Sequence, residues 1–156
     1  YIFVGRGVVM GGQRVVVVLG SRSDLPFAER IRDFLRSFGV GCEFRVCSAH
    51  RSPRMLLEFL ESYEGSGDQI VYITVAGLSD ALSGVVAGST RFPVIACPPD
   101  VERFGWSKVF SSLMTPRGPG KLAGWMIVSF GRLRFSNWMF SSWFLPKIIQ
   151  ALFFQK

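Results

Sequence analysis

The sequence predicts an α/β fold, a parallel sheet with helices on both faces. Three observations predict it. β-branched and apolar runs recur along the chain, as in RVVVVLG and QIVYITV. Segments with apolar residues at helical spacing separate them. Each run ends in a loop of small and polar residues. Runs buried on both faces belong to parallel sheets, and strands alternating with helices give a sheet layered by helices. No internal repeat is visible.

The elements follow in order. Tyr1–Gly12 is apolar and Gly-rich, with Met10 inside it. It lacks the basic start and long apolar stretch of a signal peptide. Met10 before GGQRVVVVLG reads as a natural start, which would make the residues before it upstream translation. Arg14–Gly20 is the first strand. In Ser21–Pro26, Ser23 or Asp24 is placed to cap a helix whose first turn holds Pro26. Phe27, Ile31, Phe34 and Phe38 give its apolar face, and Gly39 ends it.

Cys42–Cys47 is the second strand and Ser48–Ser52 (SAHRS) a loop. Ser52 is placed to cap the next helix, with Pro53 at its first position. Met55, Leu56, Phe59, Leu60 and Tyr63 form that helix's apolar face. After a turn at Gly65–Asp68, Gln69–Val75 is the third strand. Ala76–Thr90 is a Gly- and Ser-rich loop running into a helix of small residues. Phe92–Cys97 is the fourth strand, closed by Pro98 and Pro99, and Phe104–Leu113 is a further short helix.

The chain has 156 residues, of which 49% are hydrophobic, enough for one domain with a full core and too many for disorder. Three cysteines do not make a disulfide scaffold and fit a reducing compartment. The net charge of +7 points at first to an anionic partner. Its distribution argues otherwise. Residues 1–120 carry a net of only +2, whereas 121–156 hold five basic residues and no acid, with three of the four tryptophans. The first 120 residues present no interleaved basic and aromatic face, so nucleic acid is not an expected partner.

In open parallel sheets ligands bind beyond the carboxyl ends of the strands. Three polar loops lie there: GSRSD, SAHRS and AGLSDALSG. In the first, the hydroxyls of Ser21 and Ser23 and the helix N–H groups suit a phosphate, and the Asp24 carboxylate suits a ribose diol. The same residues also make an ordinary capping turn. GxGxxG and P-loop patterns are absent, which argues against generic dinucleotide or triphosphate binding. His50, the chain's single histidine, stands between Ser48 and Arg51. An imidazole is the natural proton shuttle near neutral pH, and a guanidinium fits phosphate, yet a surface loop histidine reads the same way. Cys42, Cys47 and Cys97 offer no CxxC unit for zinc and read as core thiols, a nucleophilic Cys97 being the lesser alternative. A triad of Ser21, His50 and Asp80 can be written, but GxSxG is absent.

Together, VVVVLGSRSDLP, RVCSAHRSP and VAGLSDALSGVVAGSTRFPVIACPP resemble the aminoimidazole ribonucleotide carboxylase/mutase family of purine biosynthesis over 14–120. The mutase branch has a second histidine in the third loop, where this chain has Ala81. GLSDALSG, CPPD and SSLMTPRGPG look closer to the carboxylase branch, although Arg51 matches the mutases. The resemblance implies a flavodoxin-like three-layer α/β/α sandwich, assembled as a homo-octamer in the cytoplasm. It implies reversible carboxylation of 5-aminoimidazole ribonucleotide by CO2, without ATP, biotin or metal. His50 would be the acid/base. Ser21 and Ser23 would face phosphate and ribose, and Asp24 the ribose hydroxyls. Ser48 would position the base, and Arg51 would neutralise phosphate. Ala76, Gly77, Ser79 and Asp80 would line the carboxylate end. Asp80 departs from the family's Asn, and its charge would oppose a carboxylate unless it turns away or holds a backbone donor.

These motifs divide the chain into an extension over 1–13, the carboxylase-like domain over 14–120 and an atypical basic, aromatic tail over 121–156. The family would end in a helix rich in Ala, Leu and acids. The tail reads instead as an interfacial anchor, a divergent interface helix or a shifted reading frame. Its longest uncharged run, 135–146, has 12 residues. That is too short to span a bilayer, so membrane insertion is not expected.

Overall fold

The computed structural model describes residues 2–4, 12–77 and 80–99. The predicted helix at Phe104–Leu113 and the 121–156 tail lie outside the described residues. The described chain forms β1 (Ile2–Val4), β2 (Gln13–Leu19), a short 3-10 turn (Arg22–Asp24), α1 (Leu25–Arg36), β3 (Cys42–Val46), α2 (Pro53–Glu64), β4 (Gln69–Val75), α3 (Ala81–Ser89) and β5 (Val94–Ala96). The strands make one sheet in the order β1-β3-β2-β4-β5. β2, β3, β4 and β5 run parallel. β1 adds to the β3 edge antiparallel, with Ile2 opposite Val46. No strand was expected within the 1–13 extension.

The centre of the sheet follows from β2. Val15, Val16, Val17, Val18 and Leu19 are all buried, because β2 has a strand on each side and helices on each face. Full burial stabilises a valine or leucine side chain by about 1.5–3 kcal/mol over exposure. Alternate side chains serve opposite layers, as the pleat requires. Val15, Val17 and Leu19 pack with Ala28, Ile31 and Leu35 of α1 and with Val71, Ile73 and Val75 of β4. Val16 and Val18 pack with Leu56, Phe59 and Leu60 of α2 and with Leu82 and Val86 of α3. Helices therefore lie on both faces of a parallel sheet, as the strand and helix alternation predicts.

After β2 the chain passes to β3 on one side, then to β4 on the other. The strand order thus reverses between β2 and β4, with α1 and α2 on opposite faces. The carboxyl ends of the strands are held in register by bonds that run past the strands. Gly20 N–H donates to the Val75 carbonyl at 2.9 Å, Cys47 N–H to Leu19 at 2.8 Å, and Cys97 N–H to Thr74 at 2.8 Å.

Several local expectations need correction. α1 ends at Arg36, so Phe38 lies beyond the helix, 37% exposed. Its ring keeps an edge contact with Phe34 at 5.2 Å. Gly39, at φ +73°, takes the left-handed conformation that ends the turn. Met55 is 40% exposed, while Leu56, one position on, turns into the core. The fourth strand is shorter than Phe92–Cys97. At opposite ends of α2 and α3 from the loops, Glu64 accepts the Thr90 hydroxyl and the Arg91 N–H, locking α2 to the turn before β5.

Candidate active site

The first, second and third loops leave β2, β3 and β4, which are neighbours in the sheet, with β2 central. The reversal of strand order places the crevice between the first and third loops. Glycine makes that crevice close. A Cβ on Gly77 would stand 3.2 Å from Asp24 Oδ1 and 3.9 Å from Pro99 Cγ. The Asp24 carboxylate thus occupies the space a side chain at position 77 would need.

The first loop starts with Ser21 as the cap of the 3-10 turn. Ser21 Oγ accepts from the Ser23 N–H at 3.3 Å and from the Ser23 hydroxyl at 2.9 Å. Asp24 stands at the N-cap position of α1, but its side chain makes no cap bond. It turns back, and Oδ2 accepts from the Ser21 N–H at 3.1 Å. The reason is that the 3-10 turn precedes α1 and presents the Ser21 N–H to it. Asp24 is nearly buried at 9% exposure, whereas Ser23 is exposed.

In the second loop, His50 and Arg51 are exposed and Ser48 is half-buried. Ser48 Oγ accepts from the Arg51 N–H at 3.3 Å. Ser52, expected to cap α2, makes no cap bond. Its hydroxyl bonds back to Ser48. Its Oγ accepts instead from the Ser48 N–H at 3.3 Å, so it is turned toward the loop and away from the first turn of α2.

The third loop gives buried Ala76 and half-buried Gly77, while Ser79 lies outside the described residues. Asp80 is 5% exposed and caps α3. Oδ1 accepts from the Ser83 N–H at 3.1 Å and Oδ2 from the Ser83 hydroxyl at 2.7 Å. Of the two expectations for Asp80, the structure shows that it holds a backbone donor. Ser83 was not anticipated, although the D-x-x-S spacing was there to signal it.

These contacts bear on the competing chemistry. Ser21 and Asp80 are both engaged locally, and among the described residues no hydrogen bond joins either to His50, so no triad forms. Cys47 and Cys97 are buried and Cys42 is half-buried, and none of the three is in a disulfide. Burial pushes the Cys42 thiol from 9.0 up to about 11, so it stays protonated near neutral pH. Among the described residues, no three His, Cys, Asp or Glu side chains gather as a metal-ligand group. Nor is any described helix long and apolar enough to cross a membrane.

A nearly buried carboxylate and serine hydroxyls thus lie in the loop beside the point where strand order reverses, and an exposed imidazole lies in the loop after the neighbouring strand β3. The family described as AIR carboxylase matches residues 14–123. The chain belongs to the AIR carboxylase family. Among relatives in that family, the mouse bifunctional phosphoribosylaminoimidazole carboxylase/phosphoribosylaminoimidazole succinocarboxamide synthetase is 46% identical over 107 residues, 69% of this chain and 25% of the relative. The Archaeoglobus fulgidus phosphoribosylaminoimidazole carboxylase is 42% identical over 107 residues, 69% of this chain and 58% of the relative. The AIR carboxylase-like region therefore spans a quarter to somewhat over half of these relatives' length. A crystal structure of Treponema denticola PurE matches at TM-score 0.65 with 38% identity, covering 70% of each chain. The flavodoxin-like fold expected of the family is thereby shown.

Proposed function

We propose that this chain is a phosphoribosylaminoimidazole carboxylase, converting 5-aminoimidazole ribonucleotide and CO2 reversibly to 4-carboxy-5-aminoimidazole ribonucleotide. The observation that carries the reading is the family match across all three strand-end loops, with His50 exposed in the second of them. The aminoimidazole is an enamine, so C4 is nucleophilic. Its electron pair forms the bond to the carbon of CO2, and one C=O pair moves onto oxygen to give the carboxylate. C4 then carries an extra proton, which leaves to restore the aromatic ring. His50 accepts it as base. In reverse the imidazolium returns it to C4 before the C–C bond breaks and CO2 departs. One acid/base of this kind typically contributes about 10²–10⁴-fold.

The remaining roles follow the loops. Ser21 and Ser23 serve the phosphate and ribose end, Asp24 the ribose hydroxyls, and Arg51 the phosphate charge. Ser48 positions the base. Ala76, Gly77 and Ser79 line the carboxylate end, and Asp80 supports that loop by capping α3. Positioning and exclusion of water do most of the work. The catalytic unit is the 14–120 segment, in a cytoplasmic homo-octamer. One observation favours the mutase alternative, Arg51, which matches that branch.

The test supplies purified chain with 5-aminoimidazole ribonucleotide, bicarbonate and carbonic anhydrase and follows 4-carboxylated product. Turnover of this substrate is expected. Reaction of the N5-carboxylated isomer alone would establish the mutase instead. Nucleotide binding by a monomer with no turnover of either isomer would make the chain a non-catalytic module.

A further inference from the structure

The second loop is closed on itself by a residue to which no role has been assigned. Ser52 Oγ accepts from the Ser48 N–H at 3.3 Å and donates to the Ser48 carbonyl at 3.2 Å. The Ser52 N–H donates to that same carbonyl at 3.0 Å. The Cys47 thiol lies 3.6 Å from Ser52 Oγ and 3.8 Å from the Ser52 carbonyl. Ser48 in turn fixes the Arg51 N–H. Residues 48–52 therefore form a small ring of chain, closed at its base by the Ser52 N–H and by its hydroxyl, with His50 at its midpoint.

His50 depends on that ring. Among the described residues no hydrogen bond reaches the imidazole, so no carboxylate or carbonyl orients it as in a catalytic triad. Its position is set by the backbone that carries it. At the far end of the loop the Ser52 carbonyl accepts the Leu56 N–H at 3.1 Å, opening α2. Ser52 thus joins the rigid start of α2 to the end of β3, and His50 is strung between two fixed points.

We propose that Ser52 is a positioning residue for His50, its hydroxyl holding the loop in the geometry that proton transfer at C4 requires. The proposal rests on the reading of His50 as the acid/base. Without the hydroxyl the Ser48 N–H loses its partner and the loop gains freedom at its base. A displacement near 1 Å at a reacting group can cost on the order of 100-fold in rate, so partial loosening is expected to cost about tenfold.

The test compares full-length Ser52→Ala, Ser52→Val and Ser52→Thr with the parent chain and with His50→Asn. Threonine and valine share a shape and differ in the hydroxyl, so this pair keeps the test open if the alanine variant folds poorly. Ser52→Ala and Ser52→Val are expected to lower kcat about tenfold, with KM for the nucleotide changed less than about twofold, and Ser52→Thr is expected to restore kcat. The chain has a single histidine, so its ring resonance needs no assignment in an untagged protein. That resonance is expected to shift or broaden in the alanine and valine variants and to stay in place in the threonine variant. A merely structural role would lower thermal stability and leave kcat and the resonance unmoved. Parental kcat and resonance in Ser52→Val, alongside an inactive His50→Asn, overturn the proposal alone. An active His50→Asn overturns the acid/base reading and the proposal with it.

Discussion

The two ends of the sheet connect their polar side chains in opposite ways. At the carboxyl ends of the strands the side-chain partners are small and near in sequence. Asp24 with Ser21, Ser52 with Ser48 and Asp80 with Ser83 are three or four residues apart. At the amino ends the partners are long and remote. Arg14 Nε meets Asp68 Oδ2 at 2.8 Å. The Tyr63 hydroxyl donates to Glu43, 20 residues away, and Arg45 donates to the Tyr63 oxygen at 2.6 Å. Arg45 also lies over the Phe59 ring, 5.9 Å from its centroid. Glu64 reaches Thr90 and Arg91 across 26 and 27 residues. The difference divides the labour of the fold. Long bridges tie one element to another, so the amino end locks the layers together. Local bonds shape each loop, and the carboxyl end leaves His50 and Arg51 exposed.

The comparison breaks most sharply at Glu43. Glu43→Ala removes a carboxylate that is 7% exposed and leaves the Arg45 guanidinium buried without it. Loss of one partner of such a pair costs about 3–5 kcal/mol. Urea unfolding should show that loss, while kcat of the folded fraction stays within about twofold of the parent. A large kcat effect would mean that the amino end also serves the reaction.

Tyr63 sharpens the same point with pH. Burial first, then its bond to Glu43, raise the phenol from 10.0 to about 12. A folded value above the unfolded one gives stability that is whole below pH 10 and falls as pH rises toward 12, because the unfolded chain releases the proton first. The alkaline decline of stability should be shallower in Tyr63→Phe. At neutral pH that variant should lose about 1–3 kcal/mol, since Glu43 loses a buried donor. An identical alkaline slope in both proteins would remove Tyr63 from the account.

At the carboxyl end the expected effects on stability are smaller. Asp80→Ala removes the cap of α3 and should cost about 1 kcal/mol. Asp80→Asn keeps an acceptor for the Ser83 N–H and should cost less than the alanine change. Thermal unfolding of the two variants checks the order. Equal losses would mean that charge, not capping, is what Asp80 supplies.

The same division explains what the sequence made legible. β4 is legible because a short β-branched and aromatic run after the Gly65–Asp68 turn favours a strand, and the six residues after Gln69 are all buried. The three strand-end loops were legible because their contacts are local and their residue types chemical. Finer placement failed where two local partners competed. Ser52 and Asp24 are good caps by type, yet each accepts from an N–H behind it instead. Met55 and Leu56 are adjacent and both apolar, so spacing puts both on the inner face, yet only Leu56 is buried. The Glu43, Arg45 and Tyr63 group left no local signal. CEFRV reads as a strand, and only packing of α2 across it brings position 63 to position 43.

The central claim is that the carboxyl end carries the chemistry through His50 while the rest of the chain holds it there. Its most direct test is His50→Asn, assayed for both carboxylation of 5-aminoimidazole ribonucleotide and nucleotide binding. His50 is exposed, so the account predicts parental thermal stability and near-parental nucleotide affinity, with kcat lowered about 10²–10⁴-fold. A His50→Asn protein that carboxylates the substrate at the parental rate would contradict it.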